Sequence, residues 1–423
     1  MGSRELFEEA KRYLVGGVNS PVRAMKPYPF FTARAEGARL YDVDGNSYID
    51  YCLAYGPLIL GHAHPEVVEA VRRQAELGTA YGTPTELEVE FAKLIVRTVP
   101  CAEMVRFVNT GTEATMAAIR LARGATGRKK ILKFEGAFHG AHDYVLVKAG
   151  SGATTHGVPT SAGVPEETTR NTLLARFNDF QGVEEVFRRH GEELACVILE
   201  PVMGNAGCIL PEEGFLKFLR EITSEAGALL IFDEVITGFR LSLGGAQEYY
   251  GVVPDVATLG KVAGGGLPIG ILAGREELMQ NLSPLGRVYQ AGTFNGNPMS
   301  MAAGLAAVGV LAKEKPYGRL EEMGRRLRRG LEEVCQDAGV EARVYGVASM
   351  LQVYFTSSEV RDYESALKAD AELFLRYQRG MLKRGVFLPP SQYESCFLST
   401  AHTEEEVELT LERAGEALRE ARA

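Results

Sequence analysis

Five short apolar runs recur along the chain with helical patterns between them: MVRFVNT (104–110), KKILKFEG (129–136), LACVILEP (194–201), ALLIFDEV (228–235) and IGILAG (269–274). They are rich in Val, Ile and Leu and do not alternate with polar residues. Such runs suit strands buried on both faces of a mostly parallel sheet, with helices packed above and below. Polar or Gly-rich turns follow the strands. In TGTEATMAAIRLARGATG (110–127), Thr and Glu stand at the start of the helix pattern and Gly just past its end. The fold class is therefore predicted to be α/β.

A chain of 423 residues is too long for one small core. Beyond Asn297-Pro298 the pattern changes. MSMAAGLAAVGVLAKE is a helix of small residues, followed by charged amphipathic segments and a weak strand near MLQVYF. The expected division is an N-terminal segment, 1–60, packing with the small domain; a large sheet domain, 61–311; and a smaller α+β domain, 312–423. The Gly- and Thr-rich stretch 149–170 lacks periodicity and is expected to be a functional lid.

A net charge of −9 provides no basic field for nucleic acid. The six cysteines lie far apart with no C-x-x-C pair, which suggests neither a zinc site nor a disulfide scaffold. The first residues, SRELFEEAKRYLVGG, carry acidic groups where a signal peptide would be apolar, and no window approaches the length of a membrane span. A soluble, cytoplasmic protein is expected. His62, His64, His139 and His142 bring no third ligand at usable spacing, so no metal is expected.

The run LLIFDEVITGF ends in two carboxylates, Asp233 and Glu234. An unpaired buried carboxylate is costly, so a cationic partner is expected there. Lys261, in DVATLGKVAGGGLPIG, is the only charge between Asp255 and Arg275. Its apolar setting favours a depressed pKa and a nucleophilic amine; taken alone it reads equally as a lysine snorkelling from a loop. Thr110, Gly111 and Thr112 sit at a strand-to-helix junction whose free N–H groups could cradle a phosphate, although an ordinary helix cap also accounts for them. Together the three sites would meet at the carboxyl ends of the strands. A cofactor with a phosphate, a carbonyl that condenses with lysine and a ring nitrogen needing a carboxylate is pyridoxal 5′-phosphate, with pyridoxamine 5′-phosphate as its aminated form. Asp233 would face the ring nitrogen, and Glu234 would serve structure.

The spacing of DEV.TGFR followed by TLGK..GGG.P.G resembles the class III aminotransferases of the fold-type I pyridoxal phosphate family. GGVNSPVRA, GPLILGHAHPEVVEAV, KFEGAFHG, VYQAGTFNGNP and FLSTAHTEEEVE extend the resemblance over nearly the whole chain. They are similar to the branch of the family that moves an amino group within one molecule. The resemblance implies that Lys261 is the Schiff-base lysine and Asp233 the ring-nitrogen partner. It also implies that Phe138 stacks on the cofactor with His139 beside it, that Val235 covers the other face, and that Asn205 bonds the ring hydroxyl. Gly292 and Thr293 would reach the phosphate from a second subunit, making a homodimer. Ser20 and Arg23 would bind the carboxylate of a small-molecule substrate, near Tyr55, with Ser151 on a lid. Glu394 matches the acidic residue that this branch carries where ω-aminotransferases usually have arginine. Tyr55 stands where Trp is common and Phe138 where Tyr is common; both keep an aromatic surface and change its hydrogen bonding. The alternative within the family is a β-amino-acid transaminase.

Overall fold

All five apolar runs fold as strands. The computed structural model describes residues 1–147 and 161–422. Near the start, β1 (Thr32–Glu36), β2 (Arg39–Asp42) and β3 (Ser47–Asp50) form an antiparallel ladder. The central sheet holds β4 (Met104–Val108), β5 (Lys130–Phe134), β6 (Thr172–Ala175), β7 (Leu194–Leu199), β8 (Leu229–Glu234), β9 (Val256–Gly260) and β10 (Gly270–Gly274), in the order β4-β10-β9-β8-β7-β5-β6. Every residue of β7 to β10 is buried, as expected for strands covered on both faces.

From β6 to β9 the neighbours run parallel, whereas β10 is antiparallel to both β9 and β4. Residues 261–269 are too few for a crossover, which needs about a dozen or more. The chain therefore doubles back, and Lys261 heads that tight connection. β6 and β9 lie outside the five runs read from the sequence.

A second antiparallel sheet is formed by β11 (Arg343–Val347), β12 (Met350–Tyr354) and β14 (Cys396–Phe397). Helix Tyr317–Asp337 packs on it, burying Leu320, Met323, Leu327, Leu331 and Cys335 on one stripe. β13 (Val386–Phe387) pairs in parallel with β3 and so joins the N-terminal ladder to the C-terminal part of the chain. The six cysteines are free and buried. Among the described residues no helix is long and apolar enough to cross a membrane, and no group of three or more His, Cys, Asp or Glu could hold a metal ion.

Candidate active site

Asp233 and Glu234 leave β8 on opposite faces, because strand side chains alternate. Glu234 is fully buried and accepts bonds from the backbone N–H groups of Ala246 and Gln247, from Gln247 Nε2 at 2.9 Å and from Thr237 Oγ1 at 2.9 Å. It holds the start of helix Gly245–Tyr250, the structural part expected of it. Asp233 points instead into a cavity of about 480 Å3 at the strand ends.

In that cavity Asp233 Oδ1 accepts from Thr258 Oγ1 at 3.0 Å and from the Val235 N–H at 3.2 Å, while Oδ2 meets His139 Nδ1 at 2.7 Å. Burial lowers the pKa of His139, although Asp233 pulls it the other way. Burial thus favours the neutral ring, whose Nδ1–H then donates to the carboxylate. Nε2 of His139 has no hydrogen-bond partner among the described residues.

Helix Gly111–Thr126 follows β4 directly, and its first turn opens on the same cavity. Thr110 Oγ1 accepts from the Glu113 N–H, and Glu113 reaches back to the Thr110 N–H, a capping box. The N–H groups of Gly111 and Thr112 lie in the first turn, where a helix supplies no partners. Space here is tight. A Cβ on Gly111 would lie 3.0 Å from Val235 Cγ2, and one on Gly140 (φ +90°) would lie 2.5 Å from Thr112 Oγ1.

Lys261 lines the cavity with a left-handed backbone (φ 43°), a conformation that costs a non-Gly residue roughly 1 kcal/mol or more and tends to persist at functional sites. Its Nζ makes no hydrogen bond or ion pair among the described residues. Burial pushes its pKa down, while Glu394, Glu200 and Asp233 act to raise it, in that order. Leu53, Ala54 and Tyr55 are also left-handed in succession, and Ala54 borders the cavity.

Glu200, absent from the sequence reading, lines the same cavity. It accepts from the Phe138 N–H at 2.9 Å, the Gly204 N–H at 3.0 Å and Asn205 Nδ2 at 2.9 Å. Burial, reinforced by the charge of Asp233, pushes its pKa up to about 7. LACVILE ends in a carboxylate just as LLIFDE does, so the signal was present in the sequence.

Ten expected residues therefore meet in one cavity. Thr110, Gly111 and Thr112 come from the start of helix Gly111–Thr126, Phe138 and His139 from the loop after β5, Asn205 from the turn Gly204–Ala206, Asp233, Val235 and Lys261 from the ends of β8 and β9, and Arg23 from the N-terminal segment. Tyr55 does not line it, but its hydroxyl donates to Val22 O at 2.6 Å and so ties down the loop that carries Arg23. Ser20 lies before the short turn Pro21–Arg23 and outside the cavity lining. Glu394 is buried and outside the cavity lining, and among the charges that raise the pKa of Lys261 its is the largest. Gly292 and Thr293 are exposed and outside this cavity in the single chain. Ser151 and most of the expected lid lie outside the described residues.

The aminotransferase class-III family pattern matches residues 21–401. The chain is a class-III aminotransferase. The glutamate-1-semialdehyde 2,1-aminomutase of Methanocaldococcus jannaschii is 61% identical over 409 residues, covering 97% of this chain and 96% of its own. Among solved structures, an ω-transaminase from Sphaerobacter thermophilus superposes with a TM-score of 0.93 at 37% identity, covering 100% of this chain and 98% of its own. A glutamate-1-semialdehyde aminomutase from Pseudomonas aeruginosa in complex with PMP gives 0.88 at 27% identity, covering 99% and 94%.

The cofactor of this class is pyridoxal phosphate, alternating with its pyridoxamine form, and the cavity suits it. The first turn of helix Gly111–Thr126 offers N–H donors for a phosphate, in a cradle that a Cβ at Gly111 or Gly140 would crowd. Asp233 offers a carboxylate for a ring nitrogen, and Lys261 offers, for a carbonyl, an amine with no hydrogen-bond partner among the described residues.

Proposed function

We propose that this class-III aminotransferase converts (S)-glutamate-1-semialdehyde to 5-aminolevulinate, by way of 4,5-diaminovalerate, in cytoplasmic tetrapyrrole synthesis. The 61% identity to the M. jannaschii aminomutase over nearly the full length of both chains carries this reading. Substrate and product are isomers, so the exchange needs no external amino acceptor.

When bound, the cofactor supplies an amine to lend and a ring that draws electrons from a carbon losing its proton. Thr110, Gly111 and Thr112 would bind its phosphate, Phe138 and Val235 would hold its ring, and Asn205, which Glu200 orients, would bond its hydroxyl. Asp233, fixed by His139 and Thr258, would keep the ring nitrogen protonated. Lys261 Nζ would carry the proton between the amine-bearing carbon and the cofactor carbon; its depressed pKa leaves more of it as free amine.

Arg23 offers paired donors to the single substrate carboxylate, assisted by Ser20 and with Tyr55 beneath the loop. Ser151 would close over the diamine. The negative charge of Glu394 near the amine-bearing carbons favours an aminated substrate and disfavours the α-carboxylate of an amino acid. A homodimer completes the site, with Gly292 and Thr293 of one subunit reaching the phosphate of the other. The exposure of Thr293 between large apolar side chains, Tyr289 at 69% and Phe294 at 59% exposed, supports this.

The closeness in shape to an ω-transaminase favours a second reading, a β-amino-acid transaminase. The deciding experiment supplies glutamate-1-semialdehyde alone, and separately supplies amino acids with 2-oxoglutarate. Formation of 5-aminolevulinate in the first supports the proposal. Exchange only in the second rejects it.

A further inference from the structure

Lys133 lies on β5 and is completely buried. Its ammonium donates three hydrogen bonds, to Ala137 O at 2.9 Å, Val145 O at 3.0 Å and Val147 O at 3.1 Å. Among the described residues no carboxylate lies within ion-pair distance of it. A buried charge answered only by neutral carbonyls is expensive. Met or Leu would fill the space at lower cost but would leave three carbonyls of an irregular loop unpaired.

That loop, 135–147, contributes Phe138 and His139 to the cavity. Its other ties reach the site as well. The Phe138 N–H donates to Glu200, the Ala141 N–H to Thr112 Oγ1 and His139 Nδ1 to Asp233. Lys133 gathers both arms of the loop, Ala137 from one side and Val145 with Val147 from the other, onto one atom anchored in the sheet.

We propose that Lys133 is a positioning residue for the reaction: by holding both arms of the 135–147 loop it sets Phe138 and His139 against the cofactor and Asp233. The functional side of this inference rests on the cofactor placement proposed above. The mechanical side, a loop clamped by one ammonium, does not. Three carbonyls require all three N–H donors of the charged form, and a neutral amine would release one of them. The charge of Lys133 also acts to lower the pKa of His139 and His142, favouring their neutral forms.

The test compares Lys133→Met, which matches the stem without donors, with Lys133→Gln, which keeps two. In cofactor-free protein, hydrogen exchange of peptides covering 135–147 should quicken by about tenfold or more in Lys133→Met, and less in Lys133→Gln, with the rest of the sheet unchanged. In the holoenzyme kcat should fall roughly 10²-fold, as for a misplacement of about 1 Å. KM should change little, and the circular dichroism of the bound cofactor should weaken. Unchanged exchange in 135–147 would overturn the clamp. Faster exchange with unaltered kcat and dichroism would overturn the positioning role. If neither variant folds, wild-type holoenzyme decides. Burial lowers the pKa of Lys133 to about 7 against a weak opposing pull from Glu200, with His139 and His142 the other ionisable groups facing it. Protection of 135–147, corrected for intrinsic rate, should therefore fall as the amine loses its proton, below the ordinary lysine value of 10.5, and protection that stays constant to beyond that pH would overturn the clamp. Failure of the aminomutase reading would leave the exchange results untouched.

Discussion

His139 Nδ1 donates to Asp233 Oδ2 across 2.7 Å, and both side chains are buried. The bond fixes the position of the carboxylate, and burial lowers the pKa of the imidazole, favouring its neutral form. Asp233→Asn should keep the fold, since an amide can still accept from Thr258, but it cannot hold a proton on the ring nitrogen. Turnover should drop by about 10²- to 10⁴-fold, with a changed absorption spectrum of the bound cofactor. Near-normal kcat would refute the assignment.

Lys261→Ala should lower turnover by about 10³-fold or more, since nucleophile and proton carrier are lost together, while the phosphate cradle still retains cofactor. Borohydride reduction of the wild-type aldehyde form, followed by peptide mapping, should find the label on Lys261. A label on any other lysine contradicts its role.

Glu200 gives a pH signature. Its folded pKa, about 7, is raised from the ordinary 4.5. The stability it confers is therefore fully present below about pH 4.5 and is lost as pH rises through about 7. Over that window the loss is roughly 3 kcal/mol at most. Glu200→Gln, which carries no charge at either extreme, should gain stability relative to wild type between pH 5 and pH 8. A difference in Tm that stays constant with pH would show that Glu200 does not titrate there.

Glu394 raises the pKa of Lys261 more than any other charge. Glu394→Gln should therefore shift the limb of the kcat profile that reports Lys261 to lower pH. The same variant should use α-amino acids with 2-oxoglutarate several-fold better, because a like charge has gone. If both quantities match wild type, Glu394 has no part in specificity.

Inactive Lys261→Ala chains mixed with inactive Thr293→Ala chains should recover up to about a quarter of wild-type activity per site, the share expected when one of the two sites in each heterodimer is intact and half the dimers are mixed. A fully active monomer in sedimentation would remove the shared site altogether.

The five apolar runs, the Thr110 cap, the strand-end Asp233 and the isolated Lys261 were legible in the sequence, because each is a local pattern: burial periodicity, helix capping, or a charge among apolar neighbours. The antiparallel turn-back at β10 was not, since it depends on which strands a short connection allows to pair. Nor was the bond between His139 and Asp233, which are 94 positions apart, nor the convergence of Glu200, Phe138 and Asn205. Lys133 stood only as a letter of the run KKILKFEG, and Arg240 as one letter of a motif. Only the folded chain buries Arg240 against Ser349, Leu398 and the ring of Phe397. Whether an ionisable group is buried, and what answers its charge, depends on segments distant in sequence that pack around it. The chain pattern thus determined five strands of the central sheet and named Lys261 and Asp233, while tertiary packing decided their partners and the second tier of residues that holds them in place.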